Sequence, residues 1–305
     1  MDTFNVSYIT FDGHVEVQKY RYLYFVVMFV AFILIIFCNS TIVWIIVVHK
    51  SLHEPMYIFI AALLINSVFF STAVYPKLLI DFLSEKQIIS YSACLFQWYI
   101  YYSLGGSEFL LLAVMAYDRY VSISKPLQYP NIMTKTSVSV FLVLAWLLPL
   151  CHNAVVPVLN VKKKLCNFTL KGIISNSTVS KLQCVRSTLL NIYGLILFVV
   201  FLPLPVLFIL STYTRIFQIA NRSCREVQRK AAQTCSAHLL VLISFSCLSA
   251  YDVLQTRLEA DFPKTAHLIM TLQVIVYHFL CNPIIYGLKM KEISKHLRRS
   301  FCKVY

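Results

Sequence analysis

Seven stretches of this chain are so apolar and so free of charge that they decide the solvent in which it folds. Residues 22–48 contain no charged side chain. A helix needs about 20 apolar residues to cross a bilayer's hydrocarbon core, so this run spans it with room for tilt. Similar runs follow at about 56–80, 94–120, 137–158, 189–215, 231–255 and 266–287. Hydrophobic residues make up 59% of the chain and charged ones 13%, whereas a soluble domain carries about 25% charged residues. The expected fold is therefore an all-α membrane protein, a seven-transmembrane helix bundle over residues 22–288. A polar N-terminal tail, 1–21, precedes it. A tail at 289–305 follows, with a short amphipathic C-terminal helix in which Ile293, Leu297 and Phe301 share one side. Such a helix lies in the interface.

Proline marks the spans. Pro55 suits the first turn of the second. Pro76, Pro149 and Pro157 predict late kinks, and Pro203 and Pro205 interrupt the fifth span in its middle. The net charge of +14 is scattered between apolar runs and lines no single face, so it points to anionic lipid rather than nucleic acid. Ten cysteines give no C-x-x-C pair, and most sit inside apolar runs as small hydrophobes. No apolar core precedes residue 20, so the first span is expected to act as its own insertion signal. No internal repeat appears, which disfavours an inverted-repeat transporter. No nucleophile–base constellation or metal-ligand spacing appears, which disfavours an enzyme and implies no cofactor or metal.

Orientation rests on two signals. Fifteen of the 27 Lys and Arg residues fall on the side that holds the C-terminus, a weak bias. Asn5, Asn167 and Asn176 head N-x-S/T sequons that all fall on the opposite side, so the N-terminus is expected outside, with those asparagines as glycosylation sites. Asn39 and Asn221 also head sequons, but one lies in a span and the other inside.

Several ordered strings then stand out. Leu52-His53-Glu54-Pro55-Met56-Tyr57 opens the second span. Met115-Ala116-Tyr117-Asp118-Arg119-Tyr120-Val121 closes the third, and Lys125-Pro126-Leu127-Gln128-Tyr129 follows it. Lys230-Ala231-Ala232-Gln233-Thr234-Cys235-Ser236 enters the sixth, and Asn282-Pro283-Ile284-Ile285-Tyr286 ends the seventh. With seven spans, these strings resemble the olfactory receptors among the rhodopsin-like G-protein-coupled receptors, in their fish-type form. The chain departs from that pattern in three places. Asn66-Ser67 stands where the family usually has an acid, Phe245-Ser246-Cys247 replaces Phe-Tyr-Gly, and the long loop has two cysteines rather than three.

The resemblance implies a receptor in the plasma membrane of sensory cilia. It would bind a small odorant inside the bundle and activate a stimulatory G-protein to raise cyclic AMP. A receptor for a non-odour metabolite is the alternative, and a transporter a remoter one. The implied pocket is lined by Tyr101, Tyr102, Gly105 and Gly106 on the third span and Leu197, Phe198 and Phe201 on the fifth. Ser249 and Val253 on the sixth, with Leu272 and Ile275 on the seventh, complete it. The two glycines read equally well as close helix packing. No acid shares the face of Tyr101, which disfavours an amine ligand; Asp252 reads as a solvated helix end or a polar lid.

The implied switch is Asp118, Arg119 and Tyr120, with Tyr213, Asn282, Pro283 and Tyr286 as partners in the rearrangement. Glu108, deep in the third span, reads as a structural hydrogen-bonder or as part of a polar core that shifts on activation. His278 reads as a core histidine. Arg222, Arg225, Arg229 and Lys230 form a basic face for headgroups and G-protein. The family's disulfide runs from the third span to the middle loop cysteine, which is missing here. Cys94–Cys184 is the favoured pairing and Cys166–Cys184 its rival. Cys302 is a candidate for palmitoylation.

Overall fold

A computed structural model describes residues 8–185, 187–221, 236, 239–251 and 263–302. Among them, helices α1 (Val17–Val48), α2 (Pro55–Leu83), α3 (Tyr91–Ser124), α5 (Lys135–Asn160) and α9 (Lys264–Lys289) are each long and apolar enough to cross a membrane. So is the pair α6 (Thr188–Phe201) and α7 (Pro203–Asn221), taken together. A shorter apolar helix, α8 (Leu239–Tyr251), lies where the sixth span is expected. A one-turn helix α4 (Tyr129–Ile132) follows α3, and α10 (Lys291–Cys302) follows α9.

The exposure pattern shows which solvent surrounds the bundle. On α1, Met28, Ala31, Ile35, Asn39, Ile42 and Ile46 are buried, the three- and four-residue spacing of one helix face. The opposite face is also apolar: Val26, Val30, Ile33 and Phe37 are all exposed. Water would not accept such a surface on this scale; lipid does. The bundle is a multi-pass membrane protein.

Capping side chains start three of the helices. Ser90 accepts from the amide of Ala93 at 3.3 Å, Thr134 from Ser137 at 3.2 Å and Ser187 from Leu190 at 3.4 Å, each satisfying an amide that lacks a helical partner. Pro203 and Pro205 break the fifth span outright. Leu202 leaves helical geometry (φ −123°, ψ −75°), so α6 ends at Phe201. On the C-terminal face, Ile293 of α10 is fully buried and Leu297 packs on the same cluster. Gly287 admits this docking, because a Cβ there would stand 3.3 Å from Ile42 and 3.4 Å from Leu297. The side chain of Phe301 lies outside the described residues.

The N-terminal segment is not the simple polar tail that its composition suggests. Tyr8–Phe11 forms strand β1, antiparallel to β2 (Ile88–Ser90) and parallel to β3 (Thr169–Leu170), in the order β2-β1-β3. The alternation is what misleads: Ile9 and Phe11 point inward, Tyr8 and Thr10 outward. Ile9 and Phe11 pack on Tyr91, Cys94 and Leu95 at the start of α3. Beyond the strand, Asp12 pairs with Lys264 of α9 at 2.7 and 2.8 Å. Gly13 then passes so close to Gly172 that a Cβ would lie 2.5 Å from its carbonyl carbon. Glu16 turns the chain into α1 at φ 43°, an uncommon backbone conformation outside glycine. Together these residues form a strap across the N-terminal face.

His14 sits under the strap. Its ring meets Phe82 edge-on at 5.7 Å, and both ring nitrogens are buried without a hydrogen-bond partner. Burial first, and the charge of Lys77 second, lower its pKa from 6.5 to about 4. The fold thus holds the neutral ring. Below pH ~6.5 the unfolded segment binds a proton that the folded one refuses, so strap stability is full above that pH and declines as pH falls toward ~4. Acidification from about pH 7.5 to 5 should raise hydrogen exchange at residues 8–16, and His14→Phe should remove the dependence.

Candidate functional site: a cavity against α3 and a charged pair at its far end

The site is built on α3, whose face changes character along its length. Near the N-terminal face it carries aromatic rings. Trp98 and Tyr102 lie one turn apart with centroids at 4.9 Å, and Tyr101 meets Tyr102 edge-on at 5.1 Å. One turn further in stand Gly105 and Gly106, and the two glycines do different work. A Cβ on Gly106 would lie 3.1 Å from Pro149 of α5 and 3.4 Å from Phe201 of α6, so this glycine allows close helix packing. A Cβ on Gly105 would meet nothing within 4 Å. It faces open space.

That space is a cavity of about 330 Å³, within the range of small-molecule pockets. Tyr101, Tyr102, Gly105, Gly106, Leu197, Phe198, Phe201 and Ser249 line it. On α6 the wall runs Ser187, Leu190, Asn191, Gly194, Leu197, Phe198 and Phe201, one face at helical spacing. Two expected positions on α9 lie elsewhere. Ile275 is fully buried, and Leu272 packs with it, in a cluster with Tyr75 and Phe279, of whose buried members only Phe70 and Tyr101 turn to the cavity. Val274 reaches the cavity in their place. The carbonyl of Ile275 instead accepts from the Tyr75 hydroxyl at 3.4 Å, so this register faces α2. Val253 and Asp252 lie outside the described residues, as does the side chain of His278.

Several wall residues were missed from sequence. Trp98 could have been found, since it lies four residues before Tyr102. Asn153 and Asn160 on α5, and Lys181 and Gln183 on the long loop, could not: nothing local says that this loop folds back over the helices.

Beneath the cavity a polar axis runs through the core. Glu108, fully buried, accepts from Nδ2 of Asn282 on α9 at 2.9 Å. Asn39 of α1 donates to the carbonyl of Phe279 at 3.0 Å. Where the resembled family has an acid on the second span, Asn66 donates to the Leu104 carbonyl at 3.0 Å and accepts from Trp146 at 3.3 Å. Ser67 donates to Leu63 of its own helix at 3.1 Å. A neutral clamp thus joins α2, α3 and α5. Tyr213 and Tyr286 are both buried, and Pro283 lies inside α9.

The axis ends at the charged pair. Arg119 donates to Oδ2 of Asp118 through Nε at 3.1 Å and Nη2 at 2.8 Å. The Tyr129 hydroxyl donates to Oδ1 at 2.8 Å. Asp118 is fully buried while the Arg119 side chain keeps 17% exposure. Tyr129 belongs to one of the strings noted above, and its part in this site shows only in the folded chain. Burial and the adjacent carboxylate push its hydroxyl pKa up. Tyr120 packs half-buried on the core beside them. Arg222, Arg225, Arg229 and Lys230 lie outside the described residues.

The disulfide corrects the favoured pairing. Cys184 bonds to Cys166, with Cα atoms 4.7 Å apart, and Cys94 is a buried thiol. The loop causes this by folding back on itself. The amide of Cys166 bonds to Leu182 at 3.0 Å and that of Cys184 to Lys164 at 3.1 Å, which sets the two cysteines side by side. Cys94 faces Ser175, whose hydroxyl lies 3.0 Å from its sulfur. Ser175, next to Ile174, therefore marks the place of the missing loop cysteine. Of the sequons, Asn167 is exposed and its side chain accepts the amide of Thr169 at 3.0 Å. Asn176 is only 3% exposed, which leaves no room for a glycan in this conformation. Asn5 is outside the described residues.

Two outcomes follow from this geometry. Ser175→Cys should form a second disulfide with Cys94, seen as one alkylatable thiol fewer than in the parent protein; one more than in the parent would show that the loop does not hold this register. Gly106→Ala should destabilise the solubilised protein by about 1–3 kcal/mol, as overpacking does. Gly105→Ala should leave the melting temperature within about 2 °C, a shift of less than 1 kcal/mol.

Comparison with known proteins places this geometry. A family model described as olfactory receptor matches residues 27–304. Among similar human proteins, olfactory receptor 13C2 is 33% identical over 96% of this chain and 95% of its own length. Olfactory receptor 10AG1 is 31% identical over 96% and 97%, and olfactory receptor 11A1 is 33% identical over 95% and 92%. With that match running through all the spans, the cavity, the polar axis and the charged pair, the chain belongs to the olfactory receptor family.

Proposed function

We propose that this chain is an odorant-activated receptor. It binds a small molecule in the cavity on α3 and activates a stimulatory G-protein at the Asp118–Arg119 end, raising cyclic AMP. The observation that carries this reading is that one helix, α3, holds both features, with the Glu108–Asn282 bond between them. The family's receptor chemistry supports it, and no metal or cofactor enters it.

The N-terminal face is the extracellular one. The Cys166–Cys184 disulfide favours that side, because disulfides persist in oxidising compartments, and the exposed sequon at Asn167 agrees. Ligand enters from there; the charged pair faces the cytoplasm, and sensory cilia are the membrane that suits this activity. At rest, Asp118 holds Arg119 and Tyr129. When the sixth span moves, Arg119 leaves Asp118 for the G-protein, and Tyr213 and Tyr286 support the open arrangement through their hydroxyls. Asn282 and Pro283 carry the change along α9.

The test is a cyclic AMP assay in cells that co-express a stimulatory G-protein, challenged with a panel of small odorants. Arg119→Ala should abolish the response per receptor at the surface; because the change leaves the buried Asp118 carboxylate under-bonded, the signal is normalised to surface abundance. A normal response in this variant would sink the switch.

A further inference from the structure

Where α9 hands over to α10 the chain turns a corner, and one side of that corner is strongly basic. Helix α9 ends at Lys289, Met290 is extended (φ −85°, ψ 105°), and α10 starts at Lys291. Ile293 and Leu297 hold α10 against the bundle, so a neighbouring side of the helix is presented outward. An open hollow of about 430 Å³ lies there, lined by Leu288, Lys291, Ser294, Lys295, Arg298 and Arg299. Lys291, Lys295 and Arg298 recur at four and three residues, the spacing of one helix face. Among the described residues no carboxylate lines the hollow. Glu292 lies beside it and reaches Lys295 at 3.7 Å, with both side chains about half exposed; such a surface pair contributes little. Neither Lys291 nor Arg298 has an ion-pair partner among the described residues.

A second observation says what kind of anion fits. Leu288, the apolar member of the hollow, is 73% exposed. It ends a ridge on α9 in which Tyr277, Ile284 and Leu288 are all exposed, at the seven- and four-residue spacing of one face. The ridge belongs to a helix that crosses the membrane, so hydrocarbon surrounds it. An apolar track therefore runs along α9 and stops at a cluster of cations. A free anion would use the cations alone, whereas an amphiphile uses both. Lys291 and Arg298 stand about 10 Å apart along the helix axis, further than one phosphate group spans. A head with phosphates at separate positions answers this cluster better than a single phosphodiester.

We propose that this corner is a binding site for a polyanionic phospholipid of the phosphatidylinositol bisphosphate class. The headgroup phosphates lie among Lys291, Lys295, Arg298 and Arg299, the Ser294 hydroxyl donates to them, and one acyl chain lies along Ile284 and Leu288. The planar guanidinium of arginine suits phosphate oxygens, and clustered Lys and Arg beside a span draw such lipids from the inner leaflet. The site rests on the reading that puts the C-terminal face in the cytoplasm, where that leaflet lies. A lipid bound to both helices braces the joint between them, one turn from Tyr286 on α9.

The experiment uses the full-length receptor, purified in a neutral detergent. Dioctanoyl phosphatidylinositol bisphosphate, dioctanoyl phosphatidylserine and soluble inositol trisphosphate are titrated in turn, and bound molecules are counted by native mass spectrometry. The bisphosphate lipid is expected to bind about tenfold tighter than either of the others. Lys291→Gln combined with Arg298→Gln should weaken it about 25-fold, about fivefold for each charge removed. Lys135→Gln, which removes an exposed cation at the start of α5 and outside the hollow, should leave binding unchanged. Leu288→Ser should weaken the lipid and leave inositol trisphosphate as it was. All four side chains are exposed, and melting temperature checks that each variant is folded. Phosphatidylserine equal to the bisphosphate lipid would reduce the corner to a general basic surface, and inositol trisphosphate as tight as the lipid would remove the lipid as occupant; either overturns the proposal. So would the absence of binding, an unchanged affinity in the double variant, or an equal loss in Lys135→Gln. Orientation is checked separately by antibody access to a C-terminal epitope tag: staining of intact cells would overturn the cytoplasmic placement and leave the binding result standing.

Discussion

The hydrogen bond from Asn282 to Glu108 is the contact on which the rest of the bundle depends. In hydrocarbon an ionisable side chain costs about 3 kcal/mol unless a partner takes it up. Glu108 on α3 and Asn282 on α9 are both fully buried. The bond between them answers part of the polarity of each. The pair therefore sets the rotation of two helices at once. It points Phe109 and Gly106 to the cavity on one side of α3, and it holds the helix turn of Pro283 and Tyr286 against the core on the other. Movement of either helix along its axis would break this bond.

In the middle of the neighbouring second span the buried polar residues are neutral. Asn66 and Ser67 make neutral bonds, to Leu104, Trp146 and Leu63. A carboxylate in place of Asn66 would lose the donated bond to the Leu104 carbonyl. The N-terminal half separates in the same spirit. Ile173 and Ile174 plug the space between α1, α2, α3 and α9, forming one dry cluster with Phe70, Tyr75 and Phe279. The next loop residue, Ser175, bonds to Gln97 and Cys94. From there the loop turns to the other side of α3 and roofs the cavity. One loop thus closes half of the bundle with isoleucine and covers the other half with serine, lysine and glutamine.

How far the sequence could be read follows from the range of the forces involved. Helices were legible because hydrocarbon imposes one rule on every residue of a span, and runs such as 22–48 obey it without local help. Positions on α3 and α6 were legible because helical period relates Tyr102 to Gly106 and Leu197 to Phe201. Period alone could not choose the face of α9, where every candidate is apolar. Val274 and Ile275 differ by 100° of rotation and by nothing in composition. The strap was missed for a related reason: Ile9 and Phe11 alternate with polar residues over too short a run to stand out, and their partners lie some 80 and 160 positions away. The cysteines show the same limit. Loop closure slightly favours near partners, but what joined Cys166 to Cys184 was backbone pairing of the flanking residues, which no spacing rule contains.

The charged pair closes the argument about energy. Asp118 is fully buried and accepts three hydrogen bonds, two from Arg119 and one from Tyr129. Taken one at a time, removing a donor would leave a buried carboxylate under-bonded, which is costly. A switch that simply broke the ion pair would meet that cost in full. In the proposed switch the Tyr129 bond changes the balance, because it would stay with Oδ1 as Oδ2 is released, and the Arg119 side chain already keeps 17% exposure. Opening then loses only the part of the pair that water and lipid phosphates can replace. A ligand shifts a two-state equilibrium by no more than its differential affinity for the two states, and a small molecule in a cavity of about 330 Å³ supplies only a few kcal/mol of that. A resting state of the kind proposed, held by one retained bond and one replaceable pair, would be within its reach; one held by an isolated buried salt bridge would not be.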